Sequence, residues 1–125
     1  MSGPEAAAQV AGEGQEMVRE CVLFGLLFRA AMIDLAMLRR VPLKLSYHLL
    51  LEELSRWAER RHYQLRRTLR EQGCHLLTSR KHGGVYIVQY RWRGYLREAV
   101  YSVEVLRAEC QERVRLWINQ EERRT

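Results

Sequence analysis

Cys74-His75-Leu76-Leu77-Thr78-Ser79-Arg80-Lys81-His82-Gly83-Gly84-Val85-Tyr86-Ile87-Val88-Gln89-Tyr90-Arg91 (residues 74–91) is the stretch on which the fold turns. Up to Gly73 the chain repeats its apolar residues at helical spacing. Here the period drops to two. Two short β-prone runs, 74–80 and 85–91, flank Lys81-His82-Gly83-Gly84, and the glycines supply the positive φ that a tight turn needs. Tyr86, Val88 and Tyr90 fall on one face of the second run; Val85, Ile87 and Gln89 fall on the other. Both faces are partly apolar, so the hairpin is expected to be covered on one side and partly covered on the other.

Working outward, Tyr47, Leu50, Leu54, Trp57, Ala58, Leu65 and Leu69 mark one apolar stripe at three- and four-residue spacing. This predicts a second helix that starts near Leu45 or Ser46 and stops at Gly73. Before it, an almost continuously apolar run from Cys21 to Leu38 predicts a first helix over about 16–40, ended by Pro42. Its apolar residues surround more than one face, so it is either packed on several sides or shared between two copies; a homodimer through this helix is expected. Arg29 and Asp34 interrupt the run and are costly at a bilayer centre, so a buried helix is preferred to a membrane span. Asp34, the only aspartate in the chain, is expected to form a structural ion pair or a polar contact across a dimer seam.

After Gly94, a third helix is predicted over 95–119, with Leu96, Ala99, Val103, Leu106, Cys110, Val114 and Trp117 as its buried stripe. The fold class expected is therefore α+β: three long helices with one antiparallel β-hairpin between helices 2 and 3. That order resembles a winged helix-turn-helix, in which one helix enters the major groove and the hairpin touches the backbone. The second helix is far longer than a recognition helix, however, and no family is identified. Residues 1–15, rich in Ala, Gly, Glu and Gln, are expected to form a flexible tail, 16–119 the single domain, and 120–125 a frayed end. The first residues lack the basic and apolar regions of a secretory signal.

A chain of 125 residues with 47% hydrophobic and 29% charged residues suffices for one core. Three cysteines, Cys21, Cys74 and Cys110, are an odd number at wide spacings, which suits a reducing cytoplasm. The formal net charge of +6 is unevenly spread. Between Arg56 and Arg93 there are ten basic side chains against two acids, Glu59 and Glu71, a larger surplus than that of the whole chain. Arg56, Arg60, Tyr63, Arg67 and Arg70 fall in one helical sector opposite the Leu stripe. Arg80 and Lys81 sit at the hairpin, and Arg91 and Arg93 flank Trp92. Guanidiniums in a row with an interleaved ring suit a phosphate backbone. A solvated helix face gives the same pattern, and an acidic protein would also suit it.

No catalytic constellation is legible. His62, Cys74, His75 and Cys110 match no standard zinc spacing. Ser79 and His82 lack an orienting carboxylate, and Gly83-Gly84 precedes a strand rather than a helix. The group Tyr86, Tyr90, Trp92 and Tyr95 is read as anchoring the hairpin to the helices rather than as a base-stacking platform. The expectation is a small, basic, non-enzymatic, cytoplasmic regulatory protein without metal or cofactor. It would bind DNA or RNA through Arg56, Arg60, Tyr63, Arg67, Arg70, Arg80, Lys81, Arg91 and Arg93. The alternative is a dimeric adaptor, with no membrane partner, whose basic segment docks an acidic protein.

Overall fold

A computed structural model describes residues 4–42 and 47–124 of the chain. Helix α1 (Pro4–Leu38) is followed by α2 (His48–Glu71), then by strands β1 (Cys74–His82), β2 (Val85–Trp92) and β3 (Tyr95–Ser102), and finally by helix α3 (Val103–Arg124). The class is α+β, with three helices and one antiparallel sheet of order β1-β2-β3.

Besides the end of α3, which runs to Arg124 through the stretch expected to fray, two expectations change. The third helix does not begin at Tyr95; 95–102 form a third strand, so the single hairpin becomes a three-stranded meander. The turn that makes this possible is Arg93-Gly94, with both residues at positive φ (50° and 88°), the geometry of a tight two-residue hairpin turn. Its N–H is secured too, because Arg93 donates to the Gly73 carbonyl at 2.9 Å. The second change is at the N-terminus. Helix α1 starts at Pro4, inside the stretch expected to be a flexible tail. Pro is well placed at a helix start, and Ala, Glu and Gln are good helix formers. Gly14 is buried, against the Trp92 ring. Residues 1–3 and 125 lie outside the described residues. So do 43–46, where the start of α2 was expected.

Helix α1 is the spine. Its first half packs on the inner face of the sheet: Val18, Cys21 and Val22 join Leu69, Cys74, Val88, Tyr90 and Trp92 in one cluster. Its second half packs on α2 and α3: Phe24, Leu27 and Ala31 meet Leu54, Ala58 and Trp117. Trp57 ties these helices together, edge-on to Phe24 with ring centroids 5.1 Å apart and 6.2 Å from Trp117. This three-sided packing accounts for the apolar residues on several faces of α1. By length and composition Gly14–Leu38 could cross a membrane, but in this fold its Val18, Leu23, Leu27 and Leu35 are core residues.

Two ion pairs, Arg19–Glu109 and Glu20–Arg113, stitch α1 to α3 through partly buried side chains. Arg39 reaches Glu52 (2.9 Å) where α1 turns into α2. Asp34 and Arg29 are both exposed, and no ion pair joins them among the described residues.

Candidate functional site

The arginine row on α2 forms as its spacing requires. Leu54, Ala58 and Leu69 are buried along one side of the helix. Arg56, Arg60, Tyr63, Arg67 and Arg70 are all exposed along the other, spanning roughly 20 Å at 1.5 Å per residue. Two of the guanidiniums have acidic neighbours on the same helix: Arg56 lies 3.6 Å from Glu53, and Arg67 lies 3.6 Å from Glu71. Both pairs are well exposed and hold little, about 0.5 kcal/mol or less each. Arg60 and Arg70 have no ion-pair partner among the described residues. Tyr63 is 67% exposed.

At the C-terminal end of α2 the row runs into the sheet. Arg66, Arg70 and His75 border one small cleft of about 50 Å³ over Leu69 and Cys74. His75 is paired with Arg91 across β1 and β2, so both occupy the outer face of the sheet. Next to Arg91 comes the Arg93 turn, whose guanidinium lies over the Trp92 ring at 5.1 Å. Arg70, Arg91 and Arg93 are thereby gathered at one end of the sheet. Arg80 shares the outer face but lies near the opposite end, roughly 17 Å along the strand. Lys81 is opposite Tyr86 in the register and points to the other face. Of the nine residues singled out in the sequence, five form the row on α2, Arg91 and Arg93 lie at the end of the sheet where that row stops, Arg80 is at a distance and Lys81 is turned to the other face.

The outer face is polar in its middle. Thr78 donates to Gln89 Oε1 (3.0 Å), and Gln89 Nε2 donates to Glu98 (3.5 Å). Leu96 and Val100 are exposed beside this ladder. Tyr90 and Trp92 are buried on the inner face and Tyr86 packs against the same cluster, so these rings anchor the sheet and offer no stacking surface. Tyr95, 71% exposed, stands apart from them.

The thiols are chemically quiet. Burial pushes the Cys21 thiol up to about 11, with Arg66 pulling weakly the other way, and burial also raises Cys74 and Cys110. His62 Nδ1 lies 2.8 Å from the Cys21 carbonyl and 3.6 Å from its sulfur. This pairs His62 with Cys21 rather than with Cys74, His75 or Cys110. Among the described residues no three His, Cys, Asp or Glu side chains converge as metal ligands.

Sequence reading missed Arg29 and Arg66. Together with His62 they line a groove between α1, α2 and β1. These residues lie on two different helices, and the packing of α2 on α1 at His62, Cys21 and Gly25 brings them to one place.

Fold and surface together define a small basic α+β protein, with a helical spine under a three-stranded meander and its excess charge carried by residues 56–93, on α2, the first two strands and the turn after them. A family model described as YhjD protein matches residues 9–122, and the chain belongs to that family. No curated protein and no solved structure matches it.

Proposed function

We propose that this chain is a non-enzymatic, cytoplasmic regulatory protein that binds nucleic acid through the phosphate backbone, with α2 as its main contact. One observation carries the reading: Arg56, Arg60, Tyr63, Arg67 and Arg70 are all exposed along one side of α2, which ends at the edge of the sheet that carries Arg91 and Arg93. Arginine engages phosphate bidentately, and a row of guanidiniums gains affinity by releasing counterions. The winged-helix comparison enters only through the hairpin, where Arg80 would touch backbone beside the helix. The inward-facing aromatic rings favour contact with a duplex or structured backbone over base stacking. The protonated thiols speak against cysteine nucleophile chemistry.

The test is fluorescence anisotropy on labelled duplex DNA, single-stranded DNA and RNA across about 50–200 mM salt. Binding should weaken steeply with salt and fall at least tenfold in the double variant Arg60→Glu/Arg67→Glu. Lys81→Ala, on the other sheet face, should change affinity less than twofold. Absence of binding at low salt, or binding that survives the double charge reversal, overturns the reading.

A second reading is a dimeric adaptor joined through α1, with the basic segment on an acidic protein. It is favoured by the exposed Met32, Ile33 and Met37 on α1, an apolar group of the kind found at interfaces. Sedimentation equilibrium at micromolar concentration separates the two: a dimer lost on Ile33→Glu, with no nucleic-acid binding, selects the adaptor.

A further inference from the structure

The groove between α1, α2 and β1 has a one-signed polar lining. Arg29 comes from α1, His62 and Arg66 from α2, Thr78 and Ser79 from β1 and Tyr86 from β2, and no carboxylate is among its lining residues. Neither arginine has an ion-pair partner among the described residues. Two guanidiniums at one groove repel each other, and an anion between them removes that cost.

The local structure holds these groups in place. His62 Nδ1 is 2.8 Å from the Cys21 carbonyl, which can only accept, so Nδ1 is the donor and Nε2 has no partner among the described residues. The ring fits because residue 25 is glycine: a Cβ there would lie 3.0 Å from His62 Cε1. On the strand side, a register shift between Leu76 and Thr78 leaves Leu77 unpaired and sets Ser79, rather than Thr78, opposite Val88 on the inner face. Thr78, turned outward, gives its hydroxyl to Gln89 instead. The floor is apolar, made by Val22, Leu26, Leu76 and Val88, and the space is about 190 Å³.

From this juxtaposition we propose that the groove binds a small phosphate monoester, its phosphoryl oxygens accepting from Arg29, Arg66 and Ser79, its own P–OH donating to His62 Nε2, and its organic group lying on the apolar floor. Two guanidiniums and a hydroxyl as donors, with an imidazole Nε2 as acceptor, call for a ligand with several acceptor oxygens and one O–H, which a singly protonated phosphoryl group supplies and a carboxylate does not. None of the four belongs to the exposed arginine line, though Arg66 also borders the cleft beside Arg70, so the double variant is read together with the amide shifts below.

Isothermal titration calorimetry on the full chain, with butyl phosphate, inorganic phosphate and n-butanol as probes, tests the proposal. Butyl phosphate should bind at least tenfold more tightly than either of the others, and Arg29→Gln/Arg66→Gln should reduce that binding at least tenfold. A second measurement does not depend on the variant folding: in the wild-type protein, butyl phosphate should shift the backbone amide resonances of Leu26, His62 and Ser79. Butanol binding as well as butyl phosphate, unchanged binding in a folded double variant, or shifts confined to the Arg60–Arg70 face would each overturn it.

Discussion

Gly14 of α1 lies flat against the indole of Trp92: a Cβ added at Gly14 would sit 2.5 Å from Cη2 and 2.6 Å from Cζ3 of that ring. Contacts that close are not tolerated, and the ring cannot easily retreat. Trp92 is 8% exposed and its backbone is paired on both sides, with Cys74 and with Tyr95. The glycine is what lets the spine helix approach the sheet.

Helix propensity and packing therefore make opposite predictions at this position. In an ordinary helix interior, Gly→Ala gains about 0.5–1 kcal/mol. Gly14→Ala should instead lose about 1–3 kcal/mol through overpacking. Gly12→Ala, on the same helix with nothing within 4 Å, should show the ordinary gain. Urea unfolding of the two variants gives the sign directly. Stabilisation of both would mean that α1 does not dock on Trp92.

The two ion pairs between α1 and α3 should differ from those within α3. Arg113 and Glu20 keep only 21% and 26% of their side-chain surface exposed, whereas Arg115 and Glu112 keep 75% and 50%. Arg113→Ala strands a partly buried carboxylate and should cost about 1–3 kcal/mol. Arg115→Ala should cost about 0.5 kcal/mol or less. A double-mutant cycle with Glu20→Gln isolates the coupling, and a coupling near zero would mean that this pair contributes nothing to holding α3 on α1.

Periodicity read well where one element had one buried side. The α2 stripe from Leu54 to Leu69 and the β1–β2 hairpin both follow from their spacing, though Tyr47 and Leu50 at the start of that stripe are exposed, and Gly83 takes the positive φ (62°) its turn needs. It failed at 95–102, for a definite reason. Leu96, Ala99, Val103 and Leu106 are spaced three and four apart, yet Ala99 and Tyr101 also alternate as a strand facing the core. The deciding signal is the turn before them. Its first residue is Arg93 rather than the Asn, Asp or Gly that usually marks such a turn. The candidate site divides in the same way: the arginine line is local to one helix and legible, while the Arg29–His62–Arg66–Ser79 groove needs three elements placed in space.

Alkaline pH should destabilise this protein before its arginines titrate. Burial raises Cys21 from 9.0 to about 11 and Tyr101 from 10.0 to about 12. Both groups are neutral when protonated, so above the ordinary values the unfolded chain releases protons that the folded chain still holds. Stability is full below pH 9 and falls as pH rises, between about 9 and 11 for Cys21 and between about 10 and 12 for Tyr101, by on the order of 1–2 kcal/mol each. Urea midpoints measured from pH 8 to 11 should decline, and Cys21→Ala should flatten the lower part of that decline even if it lowers stability at pH 8. A flat profile in the wild-type protein would place the Cys21 thiol in water.

The Arg93 turn offers a direct test of the third strand. Positive φ is strained for a β-branched residue and easy for asparagine. Arg93→Val should lose about 2 kcal/mol, from backbone strain together with the stacking on Trp92. Arg93→Asn forfeits the same stacking but relaxes the backbone, so it should stay within about 1 kcal/mol of the wild type. The difference between these two variants reports the backbone alone. In a chain whose third helix began at Tyr95, residue 93 would lie in an open loop, and valine and asparagine would be nearly equivalent there. Thermal unfolding followed by far-UV circular dichroism separates the two cases: a gap of several degrees between the variants places residue 93 in a two-residue turn, and coincident curves would remove β3.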